Sequence, residues 1–276
     1  TIRTCSDPII LNKLATPLDV TCFHLGSMAL RYLQQGSAMT TNPLLPVITA
    51  MHAIGEKERL QNVFLRGGRL ALWISLFLAI PLMVYRCEIM TLYVGAKFAA
   101  AGTVMALLLT LFPLDYGVFM ASRLAYATAN VRKWALLVMV MNIANLLISI
   151  CLVGFFRLGA VGSALGTFIV FLIWEPLFLW PCGCQIANVP LRTFMFETLW
   201  PGLLPAAAAT LTWMGLHYQW PPGSWFMVGI HFVCGWLVYV VVLTVFCFKE
   251  YEWSMASLAI SRLRDYTDKL RGVEHV

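Results

Sequence analysis

The chain has 276 residues, of which 60% are hydrophobic and only 12% are charged, and its mean hydropathy is +0.79. A water-soluble domain of this length could not bury so much apolar surface, so the composition excludes an ordinary soluble protein and indicates a membrane protein. The net charge of +6 does not indicate nucleic-acid binding, because the basic residues stand at the ends of apolar segments, where membrane topology places them.

The first apolar segment is unusually long. The chain opens with Thr1, and its first residues form neither a signal peptide nor a complete span, so we expect an N-terminal portion to precede them. Residues 17–54 would measure about 57 Å as one helix, against a hydrocarbon core of about 30 Å. Because Asn42-Pro43 and Pro46 can break a helix and no charged loop divides the segment, the pattern predicts one long, bent helix rather than a hairpin.

Six further apolar segments of about 20 residues follow a charged turn at 55–59 and a basic stretch at 66–69. A segment of that length is long enough to cross a bilayer as a helix. Together with the first segment they predict an all-α, polytopic transmembrane helix bundle of seven spans. The predicted boundaries of the six are 70–85, 99–122, 134–156, 159–180, 198–217 and 225–248.

The loops between these segments alternate between rich and poor in Lys and Arg, which predicts the orientation. One side carries five basic residues, and the other carries thirteen and is therefore predicted to be cytoplasmic. The chain would then enter its first span from outside and end in the cytoplasm, so an odd number of spans would precede it in a protein that begins in the cytoplasm. The thirteen are Lys57, Arg59, Arg66, Arg69, Arg123, Arg132, Lys133, Arg192, Lys249, Arg262, Arg264, Lys269 and Arg271.

The C-terminal stretch 249–276 has a different pattern, in which apolar residues recur every three or four positions among Lys and Arg. This spacing predicts an amphipathic helix on the anionic cytoplasmic leaflet. A solvated tail is the alternative interpretation.

The sequence offers little sign of an enzyme, a metal site or a bound cofactor. The eight cysteines show no paired CxxC spacing, and Cys182-Gly-Cys184, in a predicted loop after Pro181, supplies at most two of four usual zinc ligands. Nucleophile-elbow, zinc-protease and P-loop signatures are absent. A membrane-bound glycan transferase or polymerase is the weaker class, because its chemistry usually needs a longer external loop.

Ionisable side chains inside spans are costly and therefore mark candidate sites. Arg31 lies 14 residues into the first span, roughly 20 Å from its start. A guanidinium at that depth, in a water-filled cavity, can hold a diphosphate bidentately. The alternative is a structural ion pair, for which Asp115 is a candidate partner.

Two carboxyl groups lie next to prolines within predicted spans. Asp115 follows Pro113, where a freed carbonyl and a carboxylate can bind a cation or a proton, and Glu175 precedes Pro176. Glu175 also fits a packing or ion-pair role. His24 and His231 are candidate proton carriers, although a single histidine on an apolar helix is more often a hydrogen-bonded packing residue.

Small and amide residues predict how the spans pack. Asn142 and Asn145 are three residues apart on one helical face, which is typical of hydrogen bonds between helices. Gly159, Gly162 and Gly166 follow one another at intervals of three and four, a spacing that lets two helix backbones approach closely.

Four motifs in order then indicate a family. They are Asn42-Pro-Leu-Leu-Pro-Val-Ile-Thr-Ala50 with Ile54-Gly-Glu-Lys-Glu-Arg-Leu60, followed by Leu92-Tyr-Val-Gly-Ala-Lys-Phe-Ala99, Tyr126-Ala-Thr-Ala-Asn-Val-Arg132 and Leu158-Gly-Ala-Val-Gly-Ser-Ala-Leu-Gly-Thr167. This succession resembles the multidrug/oligosaccharidyl-lipid/polysaccharide exporter superfamily over most of residues 7–190. The similarity is closest to its polysaccharide (O-antigen type) flippase branch.

The resemblance implies two six-helix lobes around a central cavity, of which this chain would be the second lobe plus two C-terminal helices. The corresponding parts are the end of a helix and an outer loop (1–16), the second-lobe bundle (17–181), the two additional helices (196–248) and the cytoplasmic tail (249–276). The first lobe of the same protein would be the main partner. This arrangement places seven spans before residue 1, in agreement with the odd number expected from charge.

The implied function is to move undecaprenyl-diphosphate-linked oligosaccharide across the bacterial inner membrane by alternating access, for lipopolysaccharide and other surface polysaccharide synthesis. Arg31 and Asn42 on the long helix are the predicted substrate-binding residues, and Asp115 and Glu175 are the predicted ion-coupling residues. An ion-coupled multidrug or metabolite exporter of the same superfamily is the alternative.

Overall fold

The computed structural model describes residues 2–41, 43–248 and 252–253. Every regular element in these residues is helical, as the all-α prediction requires. The predicted substrate residue Asn42 and nearly all of the predicted amphipathic tail lie outside the described residues, so those two predictions remain predictions.

Thirteen α-helices make up the described chain. The helices are α1 Ile2–Leu14, α2 Pro17–Thr41, α3 Leu44–Ala53, α4 Lys57–Val84, α5 Arg86–Val94, α6 Ala99–Gly117, α7 Phe119–Ala127, α8 Val131–Ile150, α9 Gly159–Trp174, α10 Trp180–Ala187, α11 Leu191–Phe194, α12 Trp200–Gln219 and α13 Trp225–Val242. Short 3-10 or π-helical turns precede α6 (96–98), continue α8 (151–155), α11 (195–199) and α13 (243–247), and join α9 to α10 (175–179).

Five helical segments of the described chain are long and apolar enough to cross a membrane: Lys57–Val84, Ala96–Gly117, Val131–Phe155, Gly159–Ala187 and Trp225–Cys247. The other two predicted spans are also helices. They are α2, with 25 residues, and α12, with 20, which have the length of a span but a more polar composition. The protein is therefore a helical bundle with the features of a multi-pass membrane protein.

The long first segment is two helices rather than the one bent helix predicted, and the interruption lies at the predicted helix-breaking residues. α2 ends at Thr41 and α3 begins at Leu44, with the αR backbone of Pro43 between them (φ −63°, ψ −15°). α3 packs on α4 and α7, so the segment is not a hairpin of α2 against α3.

Three local predictions are wrong. The charged residues 57–69 are the first part of α4 rather than a turn and a span start, because Lys, Glu and Arg are good helix formers. The predicted span 99–122 divides at Val118 into α6 and α7. Cys182 and Cys184 lie buried within α10 rather than in a loop, because the wide π-helical turn 175–179 lets the chain pass Pro176 and Pro181 without ending the helix.

The centre of the bundle is α6, which packs against α2, α4 and α9. The predicted close approach at the glycines is confirmed. A Cβ atom on Gly166 would lie 3.2 Å from both the Cα and the N of Ser149, so the backbones of α8 and α9 touch at this point.

The last two helices, α12 and α13, pack on each other and on α4 around a second core of Tyr85, Trp213 and Tyr239. Aromatic side chains bind backbone carbonyl groups across this interface: Tyr85 Oη donates to Trp213 O (3.0 Å) and Tyr239 Oη to Trp73 O (2.9 Å). The C-terminal pair is thus a fixed part of the bundle in the described structure.

Candidate functional site

A cleft of about 500 Å³ opens between five helices, α1, α2, α6, α8 and α9. α2 contributes half of the lining residues, more than any other helix, because one face of this helix packs on α6 while its polar residues remain beside the opening. Since helical positions three and four apart share a face, the spacing of these polar residues along α2 places them together. Those from α2 that line the cleft are His24, Ser27, Arg31 and Gln34.

Arg31, the first substrate-binding candidate, lines this cleft and is half-buried. Its Nη2 lies 3.2 Å from both Nδ1 and the backbone O of His24, one helical repeat earlier on the same face. Since a guanidinium can only donate, the backbone O of His24 is an acceptor for Arg31. No ion pair between described residues involves Arg31, so the alternative of a structural pair with Asp115 is not what the structure has.

The cleft is also lined by a carboxyl group that the sequence pattern does not indicate, Asp7. Asp7 on α1 is 5% exposed, and its Oδ1 accepts a hydrogen bond of 2.8 Å from Ser163 Oγ on α9. A buried carboxylate held by a hydroxyl group is a strong acceptor site for a cation or a proton. The sequence signal was an Asp followed at once by Pro-Ile-Ile-Leu, but residues 1–16 were interpreted as a helix end and an outer loop.

A polar network continues from Asp7 into the α8–α9 contact. Thr167 Oγ1 donates to Asn145 Oδ1 (3.2 Å), and Ser149 Oγ donates to the same oxygen (3.3 Å). The predicted interhelical role of Asn145 is therefore confirmed. Asn142 instead donates from Nδ2 to Val138 O on its own helix (2.8 Å), and its Oδ1 is buried in the cleft wall without a hydrogen-bond partner.

The cleft is thus lined by a cationic group and by oxygen acceptors. Arg31 can donate to an anion, whereas Asp7, Asn142 and Thr167 carry oxygen atoms of the kind that bind hard cations and protons. This combination of groups in one cavity is the chemical feature on which a functional assignment can be based.

The two predicted ion-coupling residues do not line the cleft. Asp115 is half-buried on α6, seven residues and about 10 Å of helix beyond the cleft residue Leu108. Glu175 is 1% exposed in the turn after α9, eight residues beyond Thr167. His231 is also remote, since it packs beside Tyr85 in the second core (ring centroids 5.5 Å apart).

Among the residues that the structure describes, no group of three or more His, Cys, Asp and Glu side chains could hold a metal ion. Comparison with known proteins identifies no relative: no family model, no curated protein and no solved structure matches the chain. The geometry of the cleft is therefore the basis for any functional assignment.

Proposed function

We propose that this chain is the second lobe, with two additional C-terminal helices, of a bacterial inner-membrane flippase that moves undecaprenyl-diphosphate-linked oligosaccharide outward for surface polysaccharide synthesis. A preceding lobe of the same protein would form the other half of the cavity. The observation that carries the proposal is Arg31, a half-buried cation that lines a cleft within a bundle of apolar helices.

The contacts of Arg31 fit the binding of a diphosphate. Its hydrogen bonds to described residues use Nη2 alone, which leaves Nη1 and Nε for a ligand. A planar guanidinium donates to two phosphate oxygens at once, and such charge-assisted bonds are stronger where water is scarce. The uncharged lipid tail would stay in the bilayer, since the outer faces of the spans are rich in exposed apolar side chains.

The test measures outward movement of a fluorescent polyprenyl-diphosphate sugar in liposomes that contain the full reading frame. We expect Arg31→Ala to slow movement by about tenfold or more, as the loss of a hydrogen bond to a charged group predicts, and Arg31→Lys to retain part of the rate. Gln34→Ala is the matched control, because Gln34 lines the same cleft one turn later without a charge. Equal transport rates for Arg31→Ala and Gln34→Ala would show that Arg31 does not bind the substrate.

A second candidate function, an ion-coupled exporter of smaller molecules, is favoured by the buried Asp7 with its Ser163 contact. In that case Asp7→Asn should abolish the dependence of transport on a sodium or proton gradient, while Arg31→Ala should leave that dependence in place. Asp115→Asn and Glu175→Gln, measured in parallel, test the two coupling residues predicted from sequence. Gradient dependence that survives Asp7→Asn would exclude Asp7 as the coupling group.

A further inference from the structure

A groove on the outer surface of the bundle combines a cationic end with an apolar floor. We call it the α8–α10 groove. It has a volume of about 460 Å³ and is lined by residues that include Lys133, Leu137, Leu177, Phe178 and Gln185. Lys133 Nζ donates a hydrogen bond to Gln185 Oε1, and this contact holds the ammonium group at one end of the groove.

The cationic end extends into an adjoining hollow. Lys133 also lines a space of about 340 Å³ with Arg132 and Asn130, at the start of α8. Among the described residues that line the groove and this hollow, the charged side chains are Arg132 and Lys133 only, and both are exposed. The local field is therefore positive and accessible, which favours an anionic group.

The apolar floor runs from this end along the bundle. Leu177 lies eight residues before Gln185, a distance of about 12 Å along a helix, and Leu177 and Phe178 are 62% and 42% exposed. One leaflet of the hydrocarbon core is about 15 Å thick. The helical distance from Gln185 to Leu177 is therefore close to the thickness of one leaflet. The Phe178 ring is supported by Trp174 (centroids 4.4 Å apart), whose Nε1 donates to Leu137 O.

We propose that the α8–α10 groove binds one anionic phospholipid, with the phosphate at Lys133 and Arg132 and an acyl chain over Leu137, Leu177 and Phe178. The match is one of charge and polarity: exposed cations and exposed apolar side chains line one continuous surface, as the head group and the acyl chain of an amphiphile require. Basic pockets between membrane helices bind anionic head groups in this way. This site is separate from the α1–α2–α6–α8–α9 cleft and does not depend on the proposed transport function.

Native mass spectrometry of the 276-residue chain in detergent tests the proposal, with phosphatidylglycerol and phosphatidylcholine of the same acyl chains as ligands. We expect the wild-type chain to retain one phosphatidylglycerol in preference to phosphatidylcholine. The double variant Arg132→Ala/Lys133→Ala should bind phosphatidylglycerol about 25-fold more weakly, at about fivefold for each charge. Binding of phosphatidylcholine should not change.

The matched control removes two cations elsewhere on the side predicted to be cytoplasmic. Lys57 and Arg59 are also exposed and line a surface hollow, but that hollow contains Glu56 and Glu58 and has no apolar floor. Lys57→Ala/Arg59→Ala should leave the first phosphatidylglycerol bound as tightly as in the wild type. An equal loss in this control would overturn the proposal, since any surface charge would then suffice.

A second variant and a soluble competitor test the apolar half of the groove. Leu177→Asn keeps both cations and should weaken phosphatidylglycerol and phosphatidylcholine alike. Glycerophosphoglycerol, which is the head group without acyl chains, should fail to displace the bound lipid. Full displacement by it, or binding unaffected by Leu177→Asn, would contradict a lipid site and indicate a plain anion site.

Discussion

Trp213 is the largest side chain that the bundle buries completely, and a single glycine makes room for it. The indole lies on α12 at 0% exposure and donates from Nε1 to His231 O on α13 (3.0 Å). A Cβ atom built on Gly235, one turn after His231, would collide with the indole ring. The crossing of α12 and α13 therefore requires glycine at position 235.

We predict that Gly235→Ala destabilises the chain, by about 1–3 kcal/mol, because the added methyl group must displace a fully packed indole. Gly229→Ala on the same helix is the control, since nothing lies within 4 Å of the new Cβ there. It should be neutral or stabilising by up to about 1 kcal/mol, as helix propensity predicts. Thermal unfolding in detergent, followed by circular dichroism, measures both, and equal midpoints for the two variants would contradict the packing argument.

The candidate site was only partly predictable at the level of single residues. Arg31 was identified from its depth in a span, and the structure places it in the cleft. Asp7 was missed because the apolar pattern before residue 17 is too short to indicate a span, although α1 packs its Asp7 against α9. Asp115 and Glu175 have equally suggestive local sequences, but which face of a helix meets a cavity depends on tertiary packing.

The C-terminal part of the chain contacts α4 just beyond its end and near its middle. Just beyond the end, Tyr85 Oη donates to Trp213 O. Near the middle, Arg69 is 3% exposed, forms an ion pair with Glu252 and lies over the Trp73 ring at 5.5 Å. These contacts attach residues far apart in sequence to one helix, so α12 and Glu252 both pack on α4.

We predict that the Arg69 to Glu252 ion pair is a strong local determinant of stability. Arg69→Met should cost about 3–5 kcal/mol, because it leaves a carboxylate buried without its cation, and adding Glu252→Leu should recover more than half of the loss. Arg59→Met is the control, since the Arg59 to Glu56 pair (3.1 Å) is exposed and should contribute less than about 1 kcal/mol. Unfolding of the wild type, Arg69→Met, Glu252→Leu and the double variant completes the cycle. Similar losses at Arg69 and at the control Arg59 would show that the buried pair contributes little to stability.

Hydropathy located the helical elements better than it located their ends. Each apolar segment predicted after residue 99 is helical in the structure. The start of α4, however, is Lys57, which lies about a dozen residues before the predicted start of its apolar segment. A helix ends where its backbone hydrogen bonds end, and Lys, Glu and Arg extend it without adding hydropathy. The continuous segment 159–187 depends on a π-helical turn beside Pro176, which no hydropathy pattern reports.

At the scale of the whole molecule, the distribution of charge agrees with the outer surface of the bundle. Side chains such as Leu147, Leu211 and Leu237 are more than 60% exposed, as expected for residues that face lipid. Several basic residues lie instead at the starts of helices, with Lys57 at the start of α4, Arg132 and Lys133 at the start of α8 and Arg192 at the start of α11. Both observations fit a placement in a bilayer with these helix starts on one side.

That placement predicts opposite sides for two short connections. Asn130 lies just before α8, and Gly223 lies between α12 and α13. Three predicted spans separate them: α8, the α9–α10 segment, and α11–α12, of which the first two are long and apolar enough to cross a membrane. An odd number of crossings puts the two positions on opposite sides of the membrane, and the excess of Lys and Arg near Asn130 predicts that its side is cytoplasmic.

We therefore expect a membrane-impermeant maleimide to label Gly223→Cys on intact cells above the level of the parent chain. Asn130→Cys should react only after permeabilisation. Labelling of both from outside would mean that the segments between them cross an even number of times, and α11–α12, the least apolar of the three, would then be the one that does not span.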